Sequence, residues 1–213
     1  MTTPARNRHH SPATEEDLDS LPEHVLGQII RGELIVHPRP GAPHTEAAST
    51  LGALLVPPFQ HGSRGPGGWV ILDEPGIRFG GDLLVPDLAG WRRERFASPE
   101  KGPYVVTPDW VCELLSPSSV RDDRVRKLPI YARHGVGHAW ILDPDLRTFE
   151  VLRLHRGAWL IVGLHESADR VRAEPFEAIE LDLTLLWGEA PAGQRPPAAD
   201  TISEPAAEYN PGG

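Results

Sequence analysis

The chain has 213 residues, 39% of them hydrophobic, enough for one domain of ordinary size with a continuous core. Its formal net charge is -9, from 30 acidic against 21 basic residues, which excludes coating nucleic acid through bulk positive charge. No apolar run approaches the roughly 20 residues that span a bilayer, the stretch from Met1 to Pro12 is polar without a signal-peptide core, and Cys112 is the single cysteine, so the sequence predicts a soluble, cytoplasmic chain with no internal disulfide.

Residues 1–14 are polar and irregular, and residues 189–213 are rich in Pro, Gly and Ala; both read as disordered tails around one folded domain at 15–188. Glu15 to Leu21 opens a short helix. His24 to Arg31, with Val25, Leu26, Ile29 and Ile30 apolar, reads as a helical turn or two stopped by Gly32. Glu33 to His37 is a strand before the loop from Pro38 to Pro43, and His44 to Leu55 repeats Ala47, Leu51, Leu54 and Leu55 at helical spacing. Short extended segments follow at Trp69 to Leu72, Gly76 to Phe79, Leu83 to Ala89 and Asp109 to Leu115. Residues 120–134 suit an amphipathic helix through Val125, Leu128, Ile130 and Tyr131, with Pro129 expected to kink it or end a turn early. His138 to Leu142, Thr148 to Leu154 and Ala158 to Leu164 alternate with the turns Asp143-Pro144-Asp145 and His155-Arg156-Gly157, as in an antiparallel meander. The whole predicts a mixed α/β domain.

Two of these strands carry an acid where the pattern is apolar: Asp87 in the segment from Leu83 to Ala89, and Glu113 between Val111 and Leu115. An ionised carboxylate in such a run must be paired, hydrogen-bonded or bound to a metal. Two readings fit. Together the acids offer what Mg²⁺ takes, one or two carboxylates plus water and phosphate oxygens; separately, Asp87 caps a turn and Glu113 pairs with an arginine. Asp123, Lys127 and Tyr131, spaced i, i+4 and i+8, share one helix face, and the first two also read as an exposed ion pair. Arg121, Arg124, Arg126, Lys127 and Arg133 stand against only Asp122 and Asp123, which leaves room for a local basic surface in an acidic protein. The histidines lack metal-ligand spacing, so no zinc site is expected. Ser116-Pro117-Ser118-Ser119 lacks the glycines of a nucleophile elbow, and Ser116 instead shapes the turn after its strand.

Gly32-Glu33-Leu34, Pro43-His44, Val85-Pro86-Asp87, the run from Pro108 to Ser118, Asp123-x3-Lys127-x3-Tyr131, Gly135-Val136 and the run from Trp140 to Pro144 follow one another in an order and spacing that resemble the Uma-type restriction endonuclease family of the PD-(D/E)XK nuclease superfamily, over about residues 20 to 187. The resemblance implies a restriction-endonuclease-like mixed sheet flanked by helices. It implies a metal-dependent endonuclease that hydrolyses phosphodiester bonds of nucleic acid, DNA before RNA. Asp87 and Glu113 would be catalytic and, with the main-chain carbonyl of Leu114, would bind Mg²⁺ or Mn²⁺. Where the superfamily has lysine two residues after the second acid, this chain has Leu115; the Uma-like pattern draws the lysine from the following helix, which makes it Lys127. Glu33 and His44 stand in second rank, Glu33 as an acid completing the metal site or its surroundings, His44 as a contact to the scissile phosphate or a helix cap. Two other classes remain to be separated by metal dependence. One is a non-catalytic binding or regulatory module on the same fold, favoured by the acidity and by Leu115; the other is a metal-free small-molecule hydrolase using Glu113 with His44 or His138. Nucleases that cut both strands often dimerise, and the hairpin from Phe149 to Leu164 offers a pairing edge for a homodimer.

Overall fold

The computed structural model describes residues 12–22, 25–38 and 41–189, so the predicted tails fall almost wholly outside the described residues. Pro12 to Thr14 belong to the fold rather than to a tail. The Ala13 N–H donates to Gly32 O at 2.8 Å, and Thr14 caps α1 (Glu15–Asp19) in a reciprocal capping box with Asp17.

The helical turn expected from His24 to Arg31 is a strand. β1 (Leu26–Ile30) pairs antiparallel along its whole length with β2 (Glu33–His37), Leu26 opposite His37 and Ile30 opposite Glu33. The cause is the two-residue turn between them: Arg31 and Gly32 both take positive φ, 55° and 76°, the tight hairpin turn whose twist matches that of paired strands. The helix read from His44 to Leu55 is α2 (Ala42–Leu55), with Pro43 in its first turn and His44, Ala47, Leu51 and Leu55 buried at helical spacing.

The segment read as one strand from Leu83 to Ala89 is two. β5 (Asp82–Leu84) joins β4 (Ile77–Phe79) and β1 in a four-stranded sheet ordered β2-β1-β5-β4. β6 (Leu88–Arg92) lies in a six-stranded sheet with β3 (Trp69–Asp73), β7 (Trp110–Leu114) and the meander β8 (His138–Asp143), β9 (Thr148–His155) and β10 (Ala158–Glu166), in the order β10-β9-β8-β7-β6-β3. Pro86 has no N–H to give a ladder, and Val85-Pro86-Asp87 is the crossing from one sheet to the other. Only β7 and β8 pair in parallel among the six, and the chain between them carries the helix a parallel connection requires.

That helix departs from expectation in one respect. Pro129 does not end it: a wide π-helical turn spans Asp122–Lys127 and hands over to α3 (Leu128–Arg133), whose first turn tolerates a proline without an N–H. Two apolar clusters cover the faces of the six-stranded sheet. Trp110, Cys112 and Leu114 of β7 pack with Leu51, Leu55 and Phe176 on the α2 side; Val111 and Leu115 pack with Ile130, Tyr131 and Trp91 on the α3 side. Cys112 is free and buried, as its apolar neighbours predicted.

Gly32→Ala places a Cβ at a φ of 76° and 3.3 Å from Pro12 Cβ. It should lower stability by about 1–2 kcal/mol, read as a lower urea midpoint with unchanged slope; an unchanged midpoint would show that the β1–β2 turn does not need its glycine.

Candidate active site

The alternation of β7 sends residues 111, 113 and 115 towards the α3 side, so Glu113 takes a slot that its neighbours fill with apolar groups. It is 1% exposed. Its two oxygens are both engaged: Lys127 Nζ donates to Oε2 at 2.9 Å and the Tyr131 hydroxyl donates to Oε1 at 2.5 Å. Lys127 is 4% exposed and meets three acceptors, Glu113, Asp123 Oδ1 at 2.9 Å and the Val85 carbonyl at 3.3 Å. Glu113 therefore pairs with a lysine and not with an arginine, and the Asp123–Lys127 pair is buried, not exposed.

Leu88 lies opposite Cys112 in the ladder, and extending that register by one residue brings Asp87 opposite Glu113. Asp87 accepts the Leu114 N–H on Oδ2 at 2.6 Å and meets His44 Nε2 on Oδ1 at 3.0 Å. The sequence thus names four residues, Asp87, Glu113, Lys127 and His44, that the fold brings to one place. Glu33 is elsewhere: it is an exposed ion-pair partner of Arg126 at 2.7 Å and does not line the cavity at the cluster. His138 also lies apart, facing Glu174 at 3.5 Å, which removes it as an acid–base partner for Glu113.

A cavity of about 60 Å³ opens beside the cluster, walled by Asp87, His44, Leu114, Asp123, Lys127 and the hydroxyls of Ser116, Ser118 and Ser119. Glu113 is behind this wall. Glu74, at a positive φ of 45°, joins His44 and Asp87 in separating the cavity from a more open groove of about 570 Å³ along α2. Ser116 shapes the turn as predicted, accepting the Ser119 N–H while the Ser119 hydroxyl accepts the Ser116 N–H, both at 3.2 Å.

Burial and charge act against each other in the cluster. Burial drives the Glu113 carboxyl well above its ordinary value, more than Lys127 and Tyr131 bring it down. Burial works to lower Lys127, but the carboxylates of Glu113, Asp123 and Asp87 outweigh it and hold the ammonium protonated. Tyr131 is raised by burial and by Glu113. For His44, burial is overcome by the hydrogen bond and charge of Asp87, which raise it.

Asp123 and Tyr131 were not singled out as site members by the sequence, although the spacing that put them on one face with Lys127 was the signal for both. The three serines gave only a turn. Most of the basic stretch over 121–133 is paired with acids: Glu150 holds Arg124 by two hydrogen bonds, Glu33 and Asp122 hold Arg126, the cluster holds Lys127, and Asp82 faces Arg133 at 3.4 Å, which leaves exposed Arg121 outside these pairs. Among the described residues, no three His, Cys, Asp or Glu side chains form a ready metal cage, and no helix is long and apolar enough to cross a membrane.

A six-stranded mixed sheet flanked by helices and met by a second, antiparallel sheet defines a mixed α/β fold. The family described as Uma2, putative restriction endonuclease, matches residues 16–185, and the chain belongs to that family. Its fold is also that of a crystal structure of a putative nuclease belonging to DUF820 from Anabaena variabilis, with a TM-score of 0.65 at 24% identity, covering 83% of this chain and 98% of that one. No curated protein matches.

The native state binds the Glu113 proton more tightly than the unfolded chain does. Its contribution to stability is full below the unfolded glutamate pKa of about 4.3 and is lost as pH rises through the raised native value. Glu113→Gln should therefore flatten the fall of Tm with pH and melt above wild type at pH 7. A Tm lower than wild type at every pH would show that the bond to Lys127 outweighs burial.

Proposed function

We propose that the chain is a cytoplasmic, divalent-cation-dependent endonuclease that hydrolyses phosphodiester bonds of DNA, with Asp87, Glu113 and Lys127 as its catalytic groups. The observation that carries this reading is a cavity of the size of a phosphate group walled by Lys127, Asp87 and Asp123, with Glu113 held behind the wall by Lys127. Family membership supports the nuclease class, and the buried free Cys112 suits a reducing compartment.

The donors fit a hard cation. All are oxygens, and with Glu113 ionised, as a bound cation would hold it, Asp87, Glu113 and Asp123 together outnumber the one ammonium and leave the cluster negative. Each carboxylate oxygen that accepts one hydrogen bond keeps a second lone pair, so engagement by Lys127, Tyr131 and Leu114 does not exhaust Glu113 and Asp87. Asp87, Glu113 and the Leu114 carbonyl would hold Mg²⁺ or Mn²⁺, which when bound lowers the pKa of a water and neutralises phosphate charge.

The chain's own groups do the rest. Lys127 presents the one ammonium in the cavity wall, where negative charge develops on a phosphate oxygen, and Asp123 fixes its position. Tyr131 holds the far oxygen of Glu113, and His44 holds the outer oxygen of Asp87 and faces the cavity that receives the phosphate. Ser116, Ser118 and Ser119, which also line the cavity, supply neutral hydroxyl donors to phosphate oxygens. One such site cuts one strand, so breaking a duplex calls for a homodimer. The pairing of Arg124 and Arg126 with acids favours one other reading, a non-catalytic module on this fold, because it leaves little free positive charge beside the cavity.

Incubation with plasmid, single-stranded DNA and RNA in Mg²⁺ or Mn²⁺ separates the two. The catalytic reading expects cutting that chelation abolishes and that Asp87→Ala, Glu113→Ala and Lys127→Ala each reduce by about 100-fold or more. Folded wild type that cuts nothing with either metal would leave the non-catalytic module.

A further inference from the structure

β10 is an edge strand of the six-stranded sheet, nine residues long, with β9 on one side and, among the described residues, no strand on the other. Edges of this length are normally blunted by lysine, proline or inward charge. From Ala158 to His165 this one has none of them, and Leu160, Ile161, Val162 and Leu164 are 42%, 63%, 38% and 68% exposed. Its one irregularity is a bulge at Val162, between Ile161 and Gly163, which divides the strand into two regular halves.

The chain's own segments outside the described residues are poor candidates to cover this edge. Residues 190–213 contain Pro191, Pro196, Pro197, Pro205 and Pro211, none of which can donate to a ladder, and residues 1–11 offer only Met1 and Ala5 as apolar side chains besides Pro4. The edge is instead complementary to itself. Exposed His155 and Arg156 flank its first end, exposed Glu166 and Asp169 its last. An antiparallel second copy brings basic end to acidic end twice, whereas a parallel one sets like charge on like.

We infer that β10 is a two-fold dimer interface, pairing antiparallel with β10 of a second copy about an axis at Val162. Each half of the strand then meets the other half of its mate. Leu160 lies opposite Leu164, Ile161 opposite Gly163, and Arg156 reaches Glu166, with Ile161, Val162 and Leu164 leaving water on both copies. The pairing rests on the edge alone, and it gives the endonuclease reading the second copy that reading calls for.

Sedimentation equilibrium of the full-length chain in chelator tests it apart from any cleavage. The expected mass is two chains at micromolar concentration. Ile161→Lys with Leu164→Glu should sediment as one chain with the wild-type circular dichroism spectrum and Tm. Arg156→Glu and Glu166→Arg should each weaken dimerisation at least about tenfold, and the two together should restore it. A single-chain mass for wild type, a dimer indifferent to the strand variants, charge changes that add instead of compensating, or dimerisation appearing only when residues 190–213 are removed would each overturn the pairing. An active nuclease that sediments as one chain would overturn the interface and leave the catalytic reading standing, while an inactive dimer would do the reverse.

Discussion

Lys127 lies almost without solvent between Glu113 and Asp123, with the Val85 carbonyl taking its third donor. An ammonium in an apolar interior is held only by full satisfaction of its hydrogen bonds and by charge of the opposite sign. That requirement fixes much of the surrounding chain. Glu113 has to interrupt the apolar alternation of β7, Tyr131 has to turn its hydroxyl into the second core, and the helix has to deliver Asp123, Lys127 and Tyr131 to one strand. Removing Lys127 strips its acids of their partner, and breaking a buried pair in this way typically costs 3–5 kcal/mol, whereas apolar replacement of the whole set need not cost stability. A cluster of this kind is poor evidence for stability and better evidence for chemistry, because perturbed titratable groups gather where function needs them.

The break between the two sheets turns the cluster into a site. Pro86 ends β5 and lets the chain leave the four-stranded sheet, and Asp87 emerges at the start of β6 against the main chain of β7. The carboxylate at the mouth and the carboxylate within are thus set by one crossing. α2 contributes His44 from the other side, its apolar face seated on Trp110, Cys112 and Leu114. The cavity is narrow because separate elements converge on it: the β1–β2 hairpin, α2, Glu74 after β3, the crossing, the serine turn after β7, and the helical turn that carries Asp123 and Lys127.

Most of this was legible in the sequence, for physical reasons that can be traced residue by residue. Asp87 and Glu113 were visible because a carboxylate inside an apolar strand demands a partner. Lys127 was named by the family resemblance, and its spacing from Asp123 and Tyr131 put the three on one helix face, though spacing alone could not tell a buried triad from an exposed pair, and burial decides their chemistry. The helix read at His24 to Arg31 failed because two adjacent apolar pairs fit helical and extended periods equally; the Arg31-Gly32 turn chose between them. The proline was misjudged for the opposite reason. Its effect depends on the width of the preceding turn, which no local pattern records. The basic stretch misled most. Arg124, Arg126 and Arg133 face Glu150, Glu33 and Asp82, acids distant in sequence, and only the tertiary fold brings those charges together.

The central claim is that the negative charge left over around Lys127 is a place for a divalent cation. Calorimetric titration of Mn²⁺ into wild type, Asp87→Asn, Glu113→Gln and the surface variant Arg64→Gln tests it without nucleic acid. The account predicts binding to wild type and Arg64→Gln, with loss in both carboxylate variants while their folds persist. Absence of Mn²⁺ binding to wild type, or equal binding to all four proteins, would contradict it.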